Sequence, residues 1–290
     1  MAEIVEVRRK ASVLTRPSLP CLSQYHTINL MAGCPYRCRY CYAQSFRSHP
    51  GKERIIFYSN SLSLLGQEMA RKRKKLTMVY FSTACEPFAP IPRVLAALYE
   101  AMRLLLEHSV FILISTKSKI PRRFLELFSR YPGQVHVQVG LTTADDQVRR
   151  LLEPNAAPVA QRLAALGSLL EIGIHAEPRM DPLIPELTDT ESSFAALCAV
   201  IAKTGATTAA ASYLFLRRAN YRNLRVQHDD WSFFEMSKRI YNHKIENYCG
   251  GGTVTIPSAD YRKEKYAELD MIAQNHGIQL SLCRCKNPDL

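Results

Sequence analysis

Short runs of alternating or continuous apolar residues recur along this chain, each followed by a longer stretch with apolar residues three or four apart. The first pattern fits strands and the second fits helices packed on one side. Strands are predicted over 25–30, 77–82, 110–115, 134–140, 173–178 and 207–216. Helices are predicted between them, over 61–73, 93–107, 121–129, 159–171 and 192–203. The second of these shows the stripe: Val94, Leu98, Ala101 and Leu105 share a face, with Arg103 and Glu107 on others.

Strand–helix alternation of this kind predicts βα units around a parallel sheet. The fold class read from it is α/β, a partial or complete TIM-like (β/α)6 barrel, with a doubly wound sheet as the competing arrangement. A barrel places function on loops at the C-terminal ends of its strands. The polar and cysteine-rich segments fall there, at 33–43, 83–88, 116–118, 142–143 and 179–185. After about residue 217 the pattern changes. Helices are expected over 229–242 and 259–275 and short strands over 253–256 and 278–282, with Gly250-Gly251-Gly252 as a break. The expected organisation is an N-terminal extension (1–24), a partial barrel (25–217) and a small C-terminal α/β extension (218–290) for substrate or metal.

Composition alters this picture little. Hydrophobic residues make up 47% and charged residues 22%, as in an ordinary folded domain. No apolar run reaches the roughly 18 residues of a membrane span. Residues 1–9 mix acids and bases without a signal peptide's apolar core, so a cytoplasmic location is expected. A net charge of +12 suits an anionic partner such as DNA or RNA, with an inert basic surface as the alternative. The run Arg71-Lys72-Arg73-Lys74-Lys75 reads as a solvated helix end.

Nine cysteines in a cytosolic chain point to metal or redox chemistry rather than to disulfides. Three of them, Cys34, Cys38 and Cys41, fall in the loop after the first predicted strand with C-x3-C-x2-C spacing. That spacing sets three thiolates around one face of a [4Fe–4S] cubane and leaves a fourth iron open. A structural zinc site would need four closed ligands, and no fourth Cys or His stands at finger-like spacing. Cys198 falls in an apolar helical run and reads as a small core residue.

The spacing, the aromatic Tyr40 before the third cysteine and the place after the first strand resemble the radical S-adenosylmethionine superfamily. Four further segments resemble its spore photoproduct lyase-like branch, in the same order: Cys85-Glu86-Pro87-Phe88-Ala89-Pro90, Thr116-Lys117-Ser118, Leu152-Glu153-Pro154 and Asp181-Pro182-Leu183-Ile184-Pro185. The resemblance spans roughly residues 25–190. It implies a radical SAM barrel whose [4Fe–4S] cluster is held by Cys34, Cys38 and Cys41. It further implies S-adenosylmethionine on the open iron, reductive cleavage to a 5′-deoxyadenosyl radical, and an electron donor such as ferredoxin or flavodoxin. Tyr40 stands where the family packs an aromatic near adenine, and Lys117 where a cation meets the cofactor's carboxylate. Thr142 and Thr143 are candidates for the ribose or carboxylate, with strand-end capping as the alternative. Glu86 is a candidate for positioning cofactor or substrate, or for a helix N-terminus. Arg179 is a candidate for the cofactor side, or for an ion pair with Asp181, and Glu153 reads as a helix terminus.

Departures from the branch matter as much. Its lyases carry a hydrogen-donating cysteine where this chain has Thr83, and serine where this chain has Cys85. Cys85 is therefore a candidate hydrogen donor or a buried thiol. Tyr42 matches a tyrosine of the lyases' radical relay. Repair of spore photoproduct is not expected. Cys249, Cys283 and Cys285 form a candidate second metal site, or a redox or substrate-handling set. The functional expectation is hydrogen abstraction from a substrate, nucleic acid first and a peptide or small molecule second. A non-catalytic iron–sulfur or zinc nucleic-acid-binding protein is the reading of another class.

Overall fold

The computed structural model describes residues 2–17, 22–246, 248 and 252–290. Near the N-terminus, β1 (Glu3–Val7), β2 (His26–Ile28), β3 (Met31–Ala32) and β4 (Arg54–Tyr58) precede α1 (Ser61–Arg71). The βα units follow: β5 (Met78–Phe81), α2 (Pro92–Glu107), β6 (Phe111–Thr116), α3 (Arg122–Phe128), β7 (Val135–Gly140), α4 (Asp146–Leu152), α5 (Val159–Glu171), β8 (His175–Leu183), α6 (Glu191–Ala202) and β9 (Thr208–Tyr213). The C-terminal stretch comprises α7 (Arg218–Tyr221), β10 (Gln227–His228), β11 (Trp231–Ser232), α8 (Phe233–Ile240), β12 (His243–Ile245), β13 (Val254–Ile256), α9 (Ala259–Asn275) and β14 (Gln279–Leu282).

Seven parallel strands form the main sheet in the order β14-β9-β8-β7-β6-β5-β2. The end strands β14 and β2 do not pair with each other, so the barrel is partial. All six predicted barrel strands are present, and the seventh comes from the C-terminal stretch: Gln279–Leu282 run beside Thr208–Ala211. Helix α9 supports that strand by packing on α6. Among the described residues no helix is long and apolar enough to cross a membrane.

Alternation along the strands divides two environments. Val79, Phe81, Ile112, Ile114, Val135 and Val137 are buried within the main core with the helices' apolar faces. Tyr80, Ser115, Gln138, Glu177 and Arg179 occupy the other face. They join in a belt: Tyr80 to Ser115 at 2.7 Å, Ser115 to Gln138 at 2.9 Å, and Gln138 to Glu177 at 2.6 Å and Arg179 at 3.0 Å. Partnered polar groups of this kind make a concave sheet face habitable for a polar ligand.

Two local expectations are corrected. The predicted helix over 229–242 begins only at Phe233, because Gln227–His228 pair with Trp231–Ser232 in a tight hairpin. Asp229 takes the left-handed φ of 45° in that turn, a conformation Asp tolerates better than most residues. Helix α4 was not anticipated, although its start is marked: the Asp145 carboxylate accepts from the backbone N–H of Gln147 at 2.6 Å and Val148 at 3.4 Å. The predicted break at Gly250 and Gly251, like Cys21 and Cys249, lies outside the described residues.

Candidate active site at the strand ends

A cavity of about 570 Å³ opens at the C-terminal ends of the central strands. Its lining includes Cys34, Cys38 and Cys41, together with Tyr40, Tyr42, Cys85, Glu86, Lys117 and Arg179. Residues as far apart in sequence as Cys34 and Arg179 thus meet in one place. Thr142 and Thr143 are not in the lining. The Thr142 hydroxyl donates to Glu153 at 3.0 Å, and the Thr143 hydroxyl accepts from the Asp145 N–H at 3.0 Å, ahead of α4.

The cysteine loop is anchored on several sides. Met31 and Ala32 pair antiparallel with Phe57 and Ile56, which turns the chain back over the strand ends. Gly33 then takes φ +82°, and a Cβ there would lie 2.9 Å from the Arg54 carbonyl and 3.0 Å from Pro50. Only glycine fits this approach to Cys34. The Arg39 N–H donates to the Leu152 carbonyl at 2.9 Å, and Asn220 to the Tyr40 carbonyl at 3.3 Å. Gln44 Nε2 donates to the Cys38 carbonyl at 2.8 Å, inside the turn that carries the last two cysteines.

Burial pushes the Cys34, Cys38 and Cys41 thiols upward, and Cys34 is raised further by Cys38 and Cys41. Three thiolates gathered at a buried site need a cationic core to be stable. None of the three is in a disulfide. Among the described residues no three Cys, His, Asp or Glu side chains converge on a single-ion position. The donor set fits a cubane, whose irons are ligated one thiolate each, and not a closed zinc site.

Behind Tyr40 lies a group that sequence reasoning reduced to a helix end. Glu153 follows α4 and is fully buried. It accepts from the Tyr40 hydroxyl and pairs with Arg162 at 2.5 Å and Lys117 at 3.5 Å. Burial alone would raise this carboxyl, but Arg162 and Lys117 outweigh it and hold the group at about 2. Arg162 also donates to the carbonyls of Gly140 at 2.9 Å and Ala157 at 2.8 Å. Glu153 is thus an anionic hub that fixes Tyr40 and Lys117 at the cavity wall.

Glu86 is likewise more than a helix N-terminus. Its carboxylate accepts from Thr116 Oγ1 at 2.5 Å and from the N–H groups of Lys117 at 2.9 Å and Phe88 at 3.1 Å. Burial nevertheless raises its pKa. Arg179 pairs with Asp181 at 2.8 Å, and Asp181 is also contacted by Lys286 from beyond β14. These cations, Lys286 foremost, overcome the effect of burial and keep Asp181 well below the usual carboxylate range. The Tyr42 hydroxyl donates to the Thr83 carbonyl. Cys85 is half-buried in the wall, 3.7 Å from Asn29 Oδ1, and burial pushes its thiol up to about 12. Arg162, the contact of Lys286 with Asp181 and the belt partners of Arg179 escaped sequence reasoning. The belt's only signal was a polar residue at every second position of otherwise apolar strands. Cys283 and Cys285 flank Arg284 just past β14.

Gly140 ends β7 against Lys117, and a Cβ there would lie 2.7 Å from Nζ and 2.8 Å from Cγ. Gly140→Ala is therefore expected to displace the lysine and, with the cofactor contact that the family resemblance implies for Lys117, to weaken S-adenosylmethionine binding about tenfold, or about 1.4 kcal/mol. Titration calorimetry checks this, and unchanged affinity would remove Lys117 from the cofactor's surroundings.

Comparison with known proteins agrees with this geometry. The solved structure of spore photoproduct lyase complexed with dinucleoside spore photoproduct superposes with a TM-score of 0.73 at 15% identity, covering 97% of this chain and 82% of that one. The likeness of fold therefore runs past residue 190, where the shared sequence motifs stop. An uncharacterized protein of Mycobacterium tuberculosis (strain ATCC 25618 / H37Rv) is 26% identical over 221 residues, 73% of this chain and 65% of its own length. The chain thus spans less than two thirds of that relative. A protein of Pseudomonas phage M6, named radical SAM Nα-GlyT isomerase, is 25% identical over 186 residues, covering 62% of this chain and 38% of the phage protein. Residues 28–197 match the family described as the Radical SAM superfamily. That match takes in the cysteine loop and most of the sheet, and covers more than half of the chain: the protein belongs to the radical SAM superfamily.

Proposed function

We propose that this enzyme abstracts a hydrogen atom from an anionic, nucleic-acid-like substrate bound in the cavity at the strand ends. The observation that carries the reading is the shared cavity: Cys34, Cys38 and Cys41 line the same space as Tyr40, Lys117 and Arg217. When bound, the [4Fe–4S] cluster and S-adenosylmethionine supply the electron and the 5′-deoxyadenosyl radical.

The chain's own residues bind and orient. Lys117 offers the carboxylate of the cofactor a cation, while its pairing with Glu153 limits its motion. Tyr40, held through its hydroxyl by Glu153, offers an aromatic edge for the adenine. Arg9, Arg16, Arg217 and Lys286 add cationic groups to the lining, against two acids, Glu86 and Asp181. Asp181 is already neutralised by Arg179 and Lys286, so the remaining excess favours an anion. The lyase of the same fold is complexed with a dinucleoside spore photoproduct, which supports a nucleotide-like ligand here. Cys85 and Tyr42 line the cavity, and in this reading they return or relay a hydrogen atom.

Anaerobically reconstituted protein given dithionite and S-adenosylmethionine is expected to form 5′-deoxyadenosine. No product from chain fully loaded with about four irons would overturn the reading. Salt-sensitive binding of a short oligonucleotide is expected, and no binding even at low salt would remove nucleic acid as the substrate class.

A further inference from the structure

Part of the cavity wall comes from a segment that lies before residue 28, where the match to the superfamily begins: Arg9, Thr15, Arg16 and Pro17 all line the cavity. This segment is fastened along its length. The Arg9 N–H donates to Asn60 Oδ1 at 2.7 Å, and Asn60 Nδ2 donates back to the Arg9 carbonyl at 2.9 Å. Glu68 accepts from the N–H groups of Val13 at 2.7 Å and Leu14 at 3.0 Å, and both of those side chains are buried in the main core. Thr15 then bridges to Thr27 of β2, with N–H···O distances of 3.1 and 2.6 Å. Two arginines are thus set against the edge of the sheet before any ligand arrives, which lowers the cost of binding one.

Both arginines lack an anion. Among the described residues neither Arg9 nor Arg16 pairs with a carboxylate. The Arg9 guanidinium lies over the Tyr58 ring at 4.0 Å and donates to the Asn29 carbonyl at 3.1 Å. Those contacts fix its plane and leave further N–H groups of the fork for a ligand. The acids of the lining are engaged elsewhere, Glu86 by Thr116 and Lys117 and Asp181 by Arg179 and Lys286. His26, next to Thr27, is held below its usual value by burial and then by Lys72 and Arg16, with Glu68 opposing. Positive charge is therefore left over at this end of the cavity.

We propose that Arg9 and Arg16 form a subsite for a phosphate ester of the substrate, at the β2 end of the cavity. The inference rests on the functional reading above and deepens it. Guanidinium forks match the oxygens of a phosphate, and two like charges in one wall are relieved by an anion between them. Lys117 follows β6, two strands in from β2, or about 10 Å by strand spacing, so the cofactor's carboxylate and the substrate's phosphate have separate cations. Asn29 links the subsite to the chemistry: its carbonyl receives Arg9, and its Oδ1 lies 3.7 Å from the Cys85 thiol. A phosphate held by Arg9 brings the adjoining sugar or base toward Cys85.

The test is titration calorimetry on the reconstituted protein with S-adenosylmethionine present, using ligand pairs that differ only in charge. Thymidylyl-thymidine is compared with its neutral methylphosphonate analogue, and thymidine 5′-monophosphate with thymidine. Wild type is expected to prefer a charged member about tenfold or more, and Arg9→Gln/Arg16→Gln to bring that ratio near one. The pair with the larger ratio shows whether the phosphate belongs to a nucleic-acid chain or to a free nucleotide. No preference in wild type, or one that survives in the double variant, would overturn the subsite. Arg16→Gln alone, at an exposed position, guards against misfolding and should cut the ratio about threefold. Lys203→Gln/Lys263→Gln removes the same charge outside the lining and should keep the preference; an equal loss there would show net charge at work and overturn the assignment. Ribose 5-phosphate separates this inference from the reading beneath it. If no nucleotide binds but the sugar phosphate binds wild type and not the double variant, the nucleic-acid reading falls and the subsite stands. If no phosphate ester binds wild type, the subsite falls.

Discussion

Replacing Cys34, Cys38 or Cys41 by alanine is expected to remove the cluster and, with it, all reductive cleavage of S-adenosylmethionine. In the proposed site each of the three thiolates would ligate one iron of the cubane, so losing one leaves that iron without its protein ligand. The reconstituted variants should bind well below about four irons per chain and give less than about 1% of wild-type 5′-deoxyadenosine, at least 2.7 kcal/mol of lost transition-state stabilisation at about 1.4 kcal/mol per decade. Cys198→Ala is the matched control. Its thiol is fully buried among the apolar residues of α6, remote from the loop in function, so cluster content should stay at the wild-type level. A cysteine-loop variant that retained a full cluster would show that the ligand set is wrong.

Glu153→Gln is expected to have the largest effect on stability. The substitution leaves Arg162, which is 1% exposed, without its anion, and takes a partner from Lys117 and Tyr40. Breaking one side of a buried pair costs roughly 3–5 kcal/mol, because a desolvated charge is left uncompensated. Adding Arg162→Met should recover part of that loss, as expected for residues acting as a pair. Denaturant unfolding of the two single variants and the double variant measures both effects, and a loss below about 1 kcal/mol in Glu153→Gln would show that the pair is not a structural hub.

The pH dependence of this difference has a definite sign. The Glu153 carboxyl lies at about 2 in the folded protein against an ordinary 4.5. A depressed acid contributes stability above its unfolded value, and the contribution is lost as pH falls through the folded value. The stability gap between wild type and Glu153→Gln should therefore be constant above about pH 4.5 and narrow between there and about pH 2.

The fold and the cluster loop were legible to different depths. Helix α9 has the predicted bounds, and α5 likewise, because apolar spacing along a helix is a local property that one window of sequence displays. The cysteine spacing is equally local: three ligands within eight residues need only one turn of chain to surround a cluster. Strands β1 and β4 were missed because five residues, such as Arg54–Tyr58, are too few to separate from a loop by period alone. Their parallel pairing joins residues about fifty apart, and only the pairing makes them strands.

Sequence by itself determined the strand–helix alternation, the three cysteines and their superfamily. Tertiary structure alone decided which side chains face the cavity and which partners they find there. Thr142 and Lys117 both stood at strand ends, yet Lys117 lines the cavity while Thr142 turns to Glu153. Tyr40 meets Glu153 across 113 positions, and Lys286 meets Asp181 across 105. The reason is physical. A local pattern repeats with the period of its own element, whereas a long-range contact depends on strand register, and a slip of one residue sends every side chain to the opposite face.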